Sequence, residues 1–305
     1  MPEGIRLAFR PMVEADLGIT RYIGREAMDA LDRSQGVTPQ PWIPADPQAQ
    51  RHLLHTDPDG AWVAELNGVA IGYSMALVRG DIWYLSQLFV QPDQHGHGIG
   101  RELLRRAQAY GRDRSARVFA VVATTSPVAH GLYMRAGMFA TAVGYRMSGH
   151  LAPLEDLPVV DAEITAADGM DDAIAALDRE VFGAERRQEH AYYLDAASRA
   201  GAESSFALVR DGDLRGYCYA VADGGFIAPM AVYEPADQLL LLRAAAVWLS
   251  QHGVSTGNLF VVSHNRTLMN ALLDAGWRSQ RWSFLLTSAP FGRFDRYHPA
   301  GASLL

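Results

Sequence analysis

The chain has 305 residues, is 49% hydrophobic and 20% charged, carries a net charge of −7 at pH 7 and holds a single cysteine, Cys218. These figures exclude a disulfide-stapled scaffold and a low-complexity disordered chain, and no apolar run approaches the ~20 residues of a membrane span. The length suits two domains of ordinary size, and the start "MPEGIRLAFR" lacks the basic and apolar regions of a signal peptide, so a cytoplasmic location is expected.

From the N-terminus, residues 5–12 alternate like a strand and residues 13–28 carry apolar side chains at helical spacing. A second helix fits 46–55. Residues 61–66, 69–78 and 82–90 read as three consecutive strands. Asn67-Gly68 marks the turn between the first two, because Asn-Gly suits turns that need positive φ. A helix is predicted from about Gly98 to Arg112, a buried strand over 117–124, a short helix over 126–137 and a strand over 139–149. "GHLAPLEDLPVV", residues 149–160, holds two prolines and little pattern, and reads as a linker.

Beyond it the order repeats. A strand at 161–165 precedes helices at 170–182 and 186–200, then strands at 205–212, 214–223 and 225–234. A helix at 236–253, a strand at 258–263, a helix at 265–276 and a strand at 281–288 complete it. Asp16 corresponds to Asp171, Val90 to Val232 and Gly137 to Gly276, at separations of 155, 142 and 139 residues, so the halves differ by deletions. Two βααβββαβαβ units in tandem account for this better than one large sheet. The expected fold class is α/β, with mixed sheets of the α+β kind. The expected division is a first domain over 1–149, a linker over 150–160 and a second domain over 161–305.

The charge is uneven. Residues 1–150 hold 15 arginines against 14 acidic residues, residues 151–305 hold 12 against 20, and there is no lysine. No basic groove of the kind that binds nucleic acid is visible. The acidic second half could draw in a cationic substrate by its field, or serve only as a solvated surface.

One junction stands out. A strand ending in "LFVQP" passes through "DQHGHGIG" into the helix "RELLRRAQAY". The first turn of a helix has unpaired backbone N–H groups at the positive end of its dipole, and glycines let a ligand approach that backbone. The combination suits a phosphate or diphosphate. Gly96, Gly98 and Gly100 are spaced G-x-G-x-G after the fourth strand, which is not the dinucleotide fingerprint, and without lysine there is no P-loop. His95 and His97 alternate in the loop without the spacing of a zinc site, so no metal is expected.

On these residues the sequence resembles the GNAT superfamily of acyl-CoA-dependent acyltransferases. The family's loop pattern, Arg/Gln-x-x-Gly-x-Gly/Ala, is matched by His95-Gly96-His97-Gly98-Ile99-Gly100 except at its first position. "SPVAHGLYMRAGM" is similar to the family's Asn-x-x-Ala-x-x-x-Tyr-x-x-x-Gly-Phe segment: Ala129, Tyr133 and Gly137 match, while Ser126 replaces the Asn and Met138 the Phe. The likeness covers the first half well.

The resemblance implies two tandem GNAT-like folds and acetyl-CoA as co-substrate. The diphosphate would sit on the amides from His95 to Gly100, with Arg101 and Ser126 among the contacts; Arg105 and Arg106 could also meet phosphate charge or only face solvent. The pantetheine arm would pair with the fourth strand at Leu88, Phe89 and Val90, a strand addition by a ligand. A backbone N–H on the bulged fourth strand, near Phe89 or Val90, would polarise the thioester carbonyl. Tyr133 would protonate the departing sulfur, or else pack as a buried aromatic. The acceptor would be a primary amine of a small molecule, attacking directly in a ternary complex, with no nucleic-acid or membrane partner and a monomer or homodimer as the assembly. Ser86 and Gln87 could hold a water that removes the amine proton, since the strand offers no carboxylate near its centre; His130 is a weaker candidate. Trp42, in the proline-rich connection after the first helix, could wall the acceptor pocket or cap the core.

The second half lacks the glycine loop, and Leu272 stands where Tyr133 stands in the first. It is expected to be a degenerate copy that binds no CoA in the usual way and serves a structural or acceptor-site role. A non-catalytic acyl-CoA-binding module is the alternative reading of the whole chain.

Overall fold

The computed structural model describes residues 6–39, 47–159, 162–199 and 205–304. The chain forms two compact units, residues 1–121 with 126–138, and residues 122–125 with 139–305.

The first unit runs β1 (Leu7–Pro11), α1 (Leu17–Ser34), α2 (Gln48–Thr56), β2 (Trp62–Leu66), β3 (Val69–Arg79), β4 (Ile82–Val90), α3 (Ile99–Asp113), β5 (Val118–Ala123) and α4 (Pro127–Arg135). Strands β1 to β4 pair antiparallel in sequence order. Asn67 and Gly68 both have positive φ, 52° and 80°, which matches the right-handed twist of the β2–β3 hairpin. β5 returns through α3 and pairs parallel with β4. The buried Asp57 carboxylate accepts from the Val78 amide, Arg79 and the Tyr110 hydroxyl, and so ties the end of α2 to β3 and α3.

The second unit runs β6 (Phe139–His150), α5 (Ala152–Glu155), β7 (Glu163–Thr165), α6 (Asp171–Val181), α7 (Arg187–Arg199), β8 (Ser205–Arg210), β9 (Asp213–Val221), β10 (Phe226–Val232), α8 (Gln238–Gln251), β11 (Thr256–Val262), α9 (Arg266–Asp274), β12 (Arg278–Thr287) and β13 (Tyr297–His298). β7 to β10 are antiparallel in order, β11 is parallel to β10, and β6 lies between β11 and β12, antiparallel to both. The strand at 139–150 therefore belongs to the second unit. The sequence reading places this strand at the end of a first domain running to 149. The stretch expected to be a linker is also anchored: Leu151 and Leu154 are fully buried in the second unit's core with Met147, Leu249 and Trp277. Two prolines interrupt the pattern of that stretch, but its leucines still bury.

The repeat holds at the level of atoms. Gly72 of β3 pairs with Val90, and Gly216 of β9 pairs with Val232. A Cβ on Gly72 would lie 3.2 Å from Val90 and 3.4 Å from Leu103 of α3. One on Gly216 would lie 2.7 Å from Val232 and 3.1 Å from Leu241 of α8. In both units the sheet admits the valine and the helix leucine only because the facing residue has no side chain.

Candidate active site

β4 carries an irregularity that opens one of its edges. Met75 pairs with Gln87 and Ala76 with Leu85, so Ser86 is the extra residue of a β-bulge. The parallel ladder to β5 ends at the same level, with Leu85 opposite Val121. From Gln87 to Val90, β4 has no strand partner on that edge among the described residues of this unit. Main-chain groups left bare along an edge accept an extended ligand.

At the end of this edge lies the glycine loop. Gly96 and Gly98 adopt φ of 85° and 81°, where L-residues are strained. Gly98 is the residue immediately before α3. The backbone N–H groups from Gly96 to Arg101 donate to no group among the described residues; the first helical bond is from Glu102 to the Gly98 carbonyl. Six bare amides at a helix start form an anion-binding nest. His95, where the family has Arg or Gln, donates from Nε2 to the Val90 carbonyl at 3.0 Å and so pins the loop to β4. His97 bonds the Gln94 carbonyl through Nδ1. Among the described residues, no three His, Cys, Asp or Glu side chains gather as metal ligands would.

The helices complete the cleft. A Cβ on Gly100 would be 3.8 Å from each of Leu88, Val90 and Leu132, so β4, the start of α3 and the middle of α4 converge there. Tyr133, next to Leu132, is 5% exposed, and its hydroxyl has no hydrogen-bond partner among the described residues. Burial pushes its phenol well above the usual range, so it stays protonated at neutral pH. Ser126 caps α4 by accepting from the Ala129 amide at 3.4 Å. Arg101 is exposed, whereas Arg105 and Arg106 both engage Glu102, which their charge holds below the usual carboxylate range.

On the opposite face of β4, Phe89 meets α1 at Gly24. The Tyr73 hydroxyl donates to Gln87 Oε1 at 2.9 Å and packs at Gly24. The amide oxygen of Gln87, a candidate for holding a water, is thus engaged by Tyr73. Sequence reasoning did not find Tyr73; its signal is the Gly-Tyr pair shared with Gly216-Tyr217. Trp42 lies outside the described residues.

Residues 26–138 match the sequence model of the Acetyltransferase (GNAT) family. An uncharacterised N-acetyltransferase of Archaeoglobus fulgidus is 34% identical over 73 residues, 22% of this chain and 50% of that protein. The chain thus spans about half the length of this relative, and 32% of a second one from Methanocaldococcus jannaschii. A Pyrococcus horikoshii structure assigned to the acetyltransferases shares the fold over 100% of this chain and 99% of its own, with a TM-score of 0.74 at 17% identity. A tandem GNAT protein from the clavulanic acid biosynthesis pathway does so over 93% and 99%, with a TM-score of 0.60 at 19% identity. Residues 26–138 thus match the GNAT family model, and the two-unit fold is shared with solved acetyltransferase structures, a tandem GNAT protein among them.

Proposed function

We propose that the first unit is an N-acetyltransferase that moves the acetyl group of acetyl-CoA to a primary amine of a small molecule. The observation that carries this reading is the run of bare amides from Gly96 to Arg101, set directly beyond the open β4 edge. The amides and the dipole of α3 bind the diphosphate. The Ser86–Val90 backbone pairs with the pantetheine arm, and one of its N–H groups polarises the thioester carbonyl. Acetyl-CoA supplies the activated acyl group. The amine nitrogen forms the new bond to the carbonyl carbon, the C–S bond breaks, and Tyr133 gives its proton to the departing sulfur. The amine proton leaves through water, because β4 carries no carboxylate and Gln87 is held by Tyr73. The only cysteine, Cys218, is fully buried in the second unit and its thiol is pushed up by burial, so no acyl-cysteine route competes.

The test is CoA release over a panel of amines, with Tyr133→Phe as the variant. Turnover is expected to fall about 10²–10⁴-fold, while the dissociation constant for acetyl-CoA stays within about threefold. Unchanged turnover removes Tyr133 from the chemistry. Tight binding with no turnover on any amine makes the unit a binding module.

A further inference from the structure

The second unit repeats the splayed strand pair of the first, but its gap is filled. β10 and β11 are parallel and meet only at Phe226 and Asn258. Past that point, on the edge turned away from β9, β10 pairs antiparallel with β13: Met230 with His298 and Ala231 with Tyr297. The Val232 amide donates to the Arg296 carbonyl at 3.0 Å. Since Gly72–Val90 and Gly216–Val232 are equivalent pairs, Met230 and Ala231 stand where Leu88 and Phe89 stand on the bare edge of β4.

We infer that residues 291–298 are a built-in occupant of this second cleft, an internal strand in the place an extended ligand takes in the first. The inference rests on the reading of the first cleft as the pantetheine groove. The segment is seated by more than the ladder. The Tyr297 hydroxyl accepts from the buried Arg186, whose guanidinium also lies over the Tyr297 and Phe182 rings. Phe291 packs edge-on against Phe182, and Phe294 against Phe291. Gln238, the first residue of α8, donates to the Asp295 carbonyl at 2.8 Å. His298 adds a side-chain bond to β10, its Nε2 donating to the Ile227 carbonyl at 3.0 Å, and β13 also touches β11. Tyr297 and His298 are 0% and 1% exposed, so the segment is core and not a removable lid.

At the helix start the two units differ in the same sense. The residues before α8, Pro235–Asp237, contain no glycine, and the Asp237 carboxylate is paired with Arg210. A diphosphate there would meet that acid and a cleft already filled by chain.

Amide hydrogen exchange on the intact protein tests this, with and without saturating CoA. Without ligand, the Val232 and Tyr297 amides are expected to exchange as slowly as those of β9. CoA should slow exchange across Ser86–Val90 by ~10-fold or more and leave residues 226–232 and 291–298 unchanged. Calorimetry should give one CoA per chain. Rapid exchange at Tyr297 without ligand, a ligand effect across residues 226–232, or two CoA per chain overturns the inference. No effect at Ser86–Val90 counts against the first cleft as the CoA site; the ligand-free rates at Val232 and Tyr297 still decide whether the second is occupied.

Discussion

A Gly98→Asp variant keeps its fold and loses coenzyme A. Gly98 sits at φ 81° immediately before α3, and a Cβ there meets nothing within 4 Å. The left-handed backbone costs an aspartate about 1–2 kcal/mol. A carboxylate at a helix start returns about 0.3–1 kcal/mol. The melting temperature should therefore fall by no more than about 7 °C. Binding responds differently, because the new charge lies in the nest itself. A unit charge about 4 Å from a diphosphate oxygen is repelled by roughly 4 kcal/mol at a near-surface dielectric, close to a thousandfold in affinity. Calorimetry should show CoA binding at least ~100-fold weaker. An affinity within threefold of wild type, in a protein that melts normally, would remove the loop from the site and the proposed function with it.

The largest effect on stability is expected at Asp178→Ala. Asp178 of α6 is wholly buried. Its carboxylate accepts from Arg186 at 3.0 Å, His190 at 2.7 Å and Tyr217 at 2.6 Å. Arg186, 2% exposed, lies against it and against Tyr297 and Phe182. Desolvation opposes the ionised acid, but the Arg186 charge and the hydrogen bonds outweigh it and hold its pKa below the usual carboxylate range. Removing the acid takes the Asp178 carboxylate from a buried guanidinium that lies against aromatic rings. Breaking such a pair from one side costs about 3–5 kcal/mol, or roughly 6–20 °C in a unit of this size. Urea unfolding followed by tyrosine and tryptophan fluorescence measures it. The Asp178→Ala/Arg186→Met double variant should be more stable than the single one, because it also removes the buried charge that Asp178 balances. A loss below about 1 kcal/mol in the single variant would mean that water or another group satisfies Arg186.

Local chemistry was legible in the sequence; partner choice over long separations was not. The Asn67-Gly68 hairpin, the positive-φ glycines at 96 and 98 and the tandem order all follow from rules that act within a few residues. The alternation over 139–150 also announced a strand. It could not say which sheet receives it, because period two is satisfied equally by any neighbouring strand and the true partners start at residues 256 and 278. β13 has two residues, too few to show any period. The Asp178–Arg186–His190–Tyr217–Tyr297 network joins residues up to 119 positions apart, and nothing in their spacing marks them. Tyr73 escaped notice for the same reason, its partner Gln87 being placed by strand pairing. Within the candidate site, the left-handed glycines of the loop were readable because sequence and backbone conformation lie in one short stretch. The position of the bulge that frees the β4 edge, at Ser86, depends on register with β3, which no local pattern in the sequence shows.

The placement of β6 between β11 and β12 has a consequence for how the protein is made. Residues 139–150 leave the ribosome roughly a hundred positions ahead of Thr256, the first residue of their earlier partner. At ~5–20 residues per second that is an interval of about 5–20 s. During it the nascent chain carries a twelve-residue strand with neither edge satisfied by its eventual neighbours. A message truncated anywhere in that interval, or a gene cut at residue 149, yields a polypeptide whose strand lacks both neighbours and which is primed to aggregate. Translation must therefore run well past the first copy of the fold before the second unit's sheet can close.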